Sequence, residues 1–149
     1  MKNHPLLKAV LDTNVFLAAL LTRSSTSPAA ELLERWGKHE WILLSSETLV
    51  AELVEKLETK RISLPKITAL LDLIAQRTVW VDVATEDVLD VLVDPDDNHV
   101  LACAVMGQAD YLVTHDRHFA PLAGEYEGVQ IVPTLPFLWA VRGDSRSSK

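Results

Sequence analysis

The sequence has little that could staple, anchor or export it. Of its 149 residues one is cysteine, Cys103, so no internal disulfide can form and a reducing, cytoplasmic setting is expected. No apolar run reaches the roughly 20 residues a membrane span needs. The longest, Ala9 to Leu21, is broken by Asp12 and Asn14. That run also lacks the small-residue cleavage site of a signal peptide. Basic residues are also in deficit, 14 against 21 acids, for a net charge of −7. Proteins that hold nucleic acid by bulk electrostatics are usually basic, which counts against a sequence-reading DNA binder. It does not exclude an enzyme that holds a divalent metal between carboxylates, because the ion reverses the local sign. No internal repeat, glycine-rich phosphate loop, GxSxG elbow or paired CxxC is present.

What is there suits one domain with a substantial core. Short apolar runs alternate with helical patterns. Lys8-Ala-Val-Leu11 reads as a strand and Asn14 to Leu21 as a helix, followed by a polar loop from Arg23 to Thr26. Ser27-Pro28 is a helix start, with serine as cap and proline at the first helical position, and that helix stops at Gly37. Trp41 to Leu44 is a second strand. Ser45 or Ser46 then caps a helix whose apolar residues Leu49, Val50, Leu53, Val54 and Leu57 recur with a 3.6 period. Leu64-Pro65 opens a further helix, Thr78 to Val81 is a third strand, and Asp94-Pro95 opens a helix ended by Gly107. Tyr111 to Thr114 and Val129 to Val132 complete five strands. The pattern predicts an α/β fold, a three-layer α/β/α sandwich around a mostly parallel sheet of about five strands. The domain is expected over residues 1–141, with a polar tail over 142–149.

Ligands of open parallel sheets bind outside the carboxyl ends of the strands. Asp12 directly follows the first strand and Asp116 stands two residues beyond Thr114. Taken singly, a helix cap at Asp12 and a turn at Asp116 explain each as well as function does. The helix dipole accounts for Asp94 and Asp96. Asp97 differs, because Val100, Leu101 and Ala104 lie three, four and seven residues on, along the inward face. A carboxylate there is costly unless something positive meets it. Glu52 flanks Leu49 and stands four residues before Lys56, so a solvated ion pair is its simpler reading. His115 and His118 lack the further ligands of a zinc site, and Cys103 reads as core packing.

Taken together, Val10-Leu11-Asp12-Thr13-Asn14-Val15, the Ser45 to Leu53 segment with Glu52, Asp94-Pro-Asp-Asp97-Asn98 through Ala102, and Tyr111-Leu-Val-Thr114-His-Asp116 resemble a PIN domain. More narrowly, they resemble the small bacterial PIN proteins that act as toxins of toxin–antitoxin pairs. The resemblance covers roughly residues 8 to 135. It implies a metal-dependent ribonuclease with Asp12, Glu52, Asp97 and Asp116 as its catalytic acids. Asp12, Asp97 and Asp116 would be ligands of Mg2+ or Mn2+, with Glu52 binding through water or orienting the attacking water. Thr13, Asn14 and Thr114 would support them. It also implies an RNA substrate, a small antitoxin partner and a homodimer, with no membrane association. Arg23 and Arg117 are the candidate substrate contacts, although exposed solubilising charge explains each as readily. Two other readings compete. An Asp-dependent phosphatase or phospho-acceptor domain fits poorly, because Asn14 stands where a second acid is wanted and no lysine follows the Tyr111 strand. A catalytically silent PIN-like protein-binding module would not need the four acids.

Overall fold

A computed structural model describes residues 5–24, 26–88 and 90–143. In chain order the elements are β1 (Lys8–Leu11), α1 (Thr13–Leu21), α2 (Pro28–Gly37), β2 (Ile42–Ser45), α3 (Glu47–Thr59), α4 (Leu64–Arg77), β3 (Thr78–Trp80), α5 (Pro95–Met106), β4 (Tyr111–Val113), β5 (Glu125–Tyr126), β6 (Val129–Val132) and α6 (Thr134–Arg142). Short 3-10 turns occupy Thr85–Asp87 and Arg117–Leu122.

The strands form one sheet in the order β3-β2-β1-β4-β6-β5, parallel throughout except for the β5–β6 pair. Its inner strands are apolar apart from Lys8, Ser45 and Gln130, because both faces are covered. Ala9, Leu11, Leu43 and Val113 point into one core with residues of α1–α4 and α6. Their neighbours Val10, Leu44 and Leu112 point into another, built chiefly by α5. This is the expected three-layer arrangement, with six strands rather than five.

The extra strand and α6 escape the sequence pattern for different reasons. β5 is only two residues long, too short to show a period. It is turned back onto β6 through Glu127 (φ 50°) and Gly128 (φ 87°), the left-handed pair a tight hairpin needs. α6 contains Pro136, which falls in the first turn where no intrahelical donor is lost. Phe137 of α6 fills the first core edge-on against Trp41, with ring centroids 5.3 Å apart. Arg142, assigned to the polar tail by composition, is the last residue of α6 and pairs with Glu31 of α2. Gly143 caps α6, and 144–149 lie outside the described residues.

The expected helix starts are built as read. Ser27 Oγ accepts from Ala30 N at 3.1 Å, Ser46 Oγ from Leu49 N at 3.3 Å, and Asp94 Oδ1 from Asp96 N at 2.9 Å. Cys103 is fully buried, and burial pushes its thiol up to about 12. Among the described residues no helix is long and apolar enough to cross a membrane.

The winding matters most for chemistry. From β1 the chain steps outward through β2 to β3, laying α1–α4 on one face. It then crosses by α5 on the other face to β4, on the opposite side of β1. Between β1 and β4 the connections therefore part to opposite faces. Such a divergence opens a crevice at the carboxyl ends of the two strands.

Candidate metal centre at the carboxyl edge of the sheet

Asp12 and Asp116 stand at that crevice, one residue beyond β1 and three beyond β4. Asp97 reaches it from the first turn of α5. One carboxylate oxygen from each of Asp12, Asp97 and Asp116 lies within 4.8 Å of the other two. Asp12 is 5% exposed and Asp97 6%. Asp12 thus shares one small volume with two acids that stand more than 80 residues further along the chain.

Asp12 does not do what a helix cap would do. It precedes α1, yet its side chain makes no capping hydrogen bond. Its Oδ2 instead accepts from Thr114 Oγ1 at 2.8 Å, and its backbone N–H is held by Val113 O at 2.9 Å. Thr114 Oγ1 in turn accepts from the Asp116 N–H at 3.0 Å, so one buried hydroxyl ties both strand ends together. Asp116 also shapes its turn, accepting from His118 N at 2.9 Å. Its turn-forming role and its place in the cluster coexist.

Glu52 is half-buried on α3. Its Oε1 accepts from Thr13 Oγ1 at 3.1 Å and lies 3.7 Å from Lys56 Nζ. The ion pair expected from the i,i+4 spacing is present, but the threonine link also ties Glu52 to the residue after Asp12. Asn14 is exposed on α1, with no side-chain hydrogen bond among the described residues. Arg117 is exposed beside Asp116. Arg23 lies past the far end of α1, about 14 Å along the helix from Asp12 at 1.5 Å per residue. There it lines a groove with Leu20, Leu33 and Lys66, so the structure does not bring it to the acids.

Two contributors were not legible as such. His118, set aside with His115 as a poor zinc pair, places Nδ1 2.9 Å from Asp97 Oδ2 and 3.2 Å from Asp116 Oδ1. His115 turns away to Thr134 Oγ1 at 2.8 Å, so the two histidines do not converge. The only sequence signal for His118 is its place two residues after Asp116. The second is Asn98, buried beside Asp97. Its Oδ1 accepts from Val91 N and Leu92 N at 3.2 and 2.8 Å, and its Nδ2 donates to Leu92 O at 2.9 Å. That bidentate clamp fixes the loop entering α5 and hence the angle at which Asp97 is presented.

The electrostatics are those of anions only partly compensated. Burial raises the Asp97 pKa, the His118 hydrogen bond opposes this, and Asp116, Asp94 and Asp12 push it up further. Glu52 is raised by burial and then by Asp96, with Thr13 and Lys56 opposing. Asp96 is exposed, acts on Glu52 through its charge, and is not one of the three grouped aspartates. His118 is raised by its hydrogen bond to Asp97 and by Asp116. Buried carboxylates this close keep their charge only if a cation joins them. Oxygens bound to an ion of Mg2+ size lie at most about 4.2 Å apart, twice the usual bond length. Separations within 4.8 Å are of that order, and hard oxygen donors suit Mg2+ or Mn2+. The residues present fit such an ion.

The family model described as a PIN domain matches residues 8–118, a span that contains all four acids. Among solved structures, a similar fold occurs in the crystal structure of VapBC2 from Rickettsia felis bound to a DNA fragment from their promoter. The identity there is 16%, the match covers 84% of this chain and 97% of that one, and the TM-score is 0.57. No curated protein matches the sequence.

Proposed function

The chain belongs to the PIN domain family, and we propose from this that it is a metal-dependent endoribonuclease acting as the toxin of a toxin–antitoxin pair. The convergence of Asp12, Asp97 and Asp116 within 4.8 Å carries the reading. These three would hold Mg2+ or Mn2+. The ion, when bound, supplies positive charge to the scissile phosphate and eases the loss of a proton from water. Asp12 is kept in place by Thr114 and Glu52 by Thr13. Glu52, held at the rim with its pKa raised, is suited to orient the attacking water and to take its proton. His118 bonds Asp97 directly, and Asn98 holds the loop that leads into the helix carrying it. Arg117, exposed next to Asp116, is the candidate contact to RNA phosphate.

The toxin assignment rests on the motif resemblance and is supported by the fold shared with VapBC2. It carries a cytoplasmic location, a small antitoxin partner and a homodimer with it. The nuclease unit would run through the end of α6 at Arg142.

The test is cleavage of a mixed RNA pool across a Mg2+ and Mn2+ titration. The wild type is expected to cut only with the ion. Asp97→Asn is expected to abolish cutting, and Asp96→Asn to retain most of it, because Asp96 is exposed and apart from the three aspartates. Equal loss in both variants would overturn the choice between those acids. No cutting with either ion, or full activity in Asp12→Asn, would overturn the ribonuclease reading. Growth arrest on expression, lost in Asp12→Asn, tests the toxin role.

A further inference from the structure

A second feature stands at the same edge of the sheet. A cavity of about 380 Å3 opens beside β3, and its wall includes Glu47, Trp80, Val81, Asp82, Val83 and His99. Trp80 is 48% exposed, in contrast to Trp36 and Trp41, which are each 1% exposed in the core. An indole left half in water at the last residue of an edge strand contributes little to the fold.

The cavity shares its supports with the acids. Glu47 opens α3, the helix that carries Glu52, and His99 follows Asp97 by two residues on α5. Trp80 is in register with Ser45, the last residue of β2. β3 lies two strands from β1, or about 10 Å at the usual strand spacing of about 4.8 Å. Gly107 keeps this geometry tight, since a Cβ there would stand 2.8 Å from Val81 Cγ2.

We infer that this cavity receives a nucleobase of the RNA strand, stacked on Trp80, with guanine favoured through the carboxylates of Glu47 and Asp82. The inference rests on the ribonuclease reading and names the base flanking the cut. Two acids in the wall repel phosphate, so the backbone does not enter. Carboxylates accept hydrogen bonds from base N–H groups, and unstacked bases are read on their pairing edges while stacked on aromatic rings. Guanine presents two adjacent donors, N1–H and N2–H, to one carboxylate, whereas uracil presents one. Stacking alone is tolerant of sequence, so the preference comes from the acids.

The test is fluorescence anisotropy with two labelled RNA octamers, one of eight uridines and one with a central guanosine. The protein is full-length Asp12→Asn, so that the probes stay intact. Adding Trp80→Ala is expected to weaken binding of both probes by about 5- to 100-fold, and Trp80→Phe to keep it within about threefold, as loss or retention of one base stack implies. The guanosine probe is expected to bind more tightly than the uridine probe, and this preference is expected to vanish when Glu47→Gln and Asp82→Asn are added together. Unchanged affinity in Trp80→Ala, or loss in Trp80→Phe equal to that in Trp80→Ala, overturns the stacking site. A guanosine preference that survives the double substitution overturns the carboxylate contact. Ion-dependent cleavage by wild type with no Trp80 dependence sinks the cavity alone. Trp80-dependent binding with no cleavage under either ion sinks the ribonuclease reading and leaves an RNA-binding cavity.

Discussion

Two acidic clusters in this molecule behave in opposite ways. On the α2–α6 flank, Glu31 accepts from Arg35 Nε at 2.8 Å and from Arg142 Nε at 2.9 Å. Those hydrogen bonds, Arg142 first, hold its pKa down at about 2. At the carboxyl edge, Asp97 and Glu52 are raised instead, because burial and neighbouring acids outweigh His118, Thr13 and Lys56. The same chemical group is a tie in one place and a source of strain in the other. Evolution of a stable fold alone would not gather the second set. Incompletely compensated buried charge is the arrangement expected where a cation is to bind and stability is spent on function.

The sharpest way to break this contrast is to neutralise one acid in each cluster. Asp97→Asn should cut RNA cleavage by about a thousandfold or more, several kcal/mol of barrier at 1.36 kcal/mol per decade. It should also raise the Tm of the metal-free protein by relieving repulsion, measured by calorimetry with chelator. A lowered Tm would mean that the acids are not strained. Next in size is Thr114→Val, which removes the hydroxyl linking Asp12 and Asp116. Metal affinity, read by titration calorimetry with Mn2+, should weaken about 10- to 100-fold, the usual cost of losing a group that holds a ligand in place.

Glu31→Gln should do the reverse of Asp97→Asn. Stability should fall by about 1 kcal/mol, since partly exposed ion pairs contribute modestly even in a network, and cleavage should be unchanged. A change in kcat would join the two clusters and spoil the comparison. The smallest effect is the pH response. With its folded pKa lowered, Glu31 contributes stability that is fully present above its ordinary carboxylate value and lost as pH falls through about 2. Asp97 and Glu52 have raised folded values, so without metal they favour folding at low pH and cost stability as pH rises through those values. The Glu31→Gln variant should therefore lose the first limb of an acid titration of Tm and keep the second. Added Mn2+ should suppress only the second.

Much of the fold could be read directly. The Ser27-Pro28 and Asp94-Pro95 helix starts are chemical signals confined to a few adjacent residues, and they stand where they were expected. β2 begins one residue later than its apolar run, because Trp41 is drawn into the core, where its Nε1 donates to Leu32 O at 3.0 Å. The site was legible in a different way. Asp97 could be singled out by the helix face it shares with Leu101, but Glu52 needed the family pattern, since nothing local separates it from an ordinary partner of Lys56. His118 and Asn98 could not be assigned at all. Their importance lies in what they face, Asp97 and the loop at Leu92.

Periodicity, caps and turn chemistry are properties of neighbours in the chain, and so the sequence itself determined that strands and helices alternate, that both sheet faces are covered, and that acids follow strands. Proximity between Asp12 and Asp116, or between Trp80 and His99, depends on which strands lie side by side and on the face to which each helix crosses. Only the tertiary structure decided that, because the strand order is selected by the packing of two separate cores and not by any short segment.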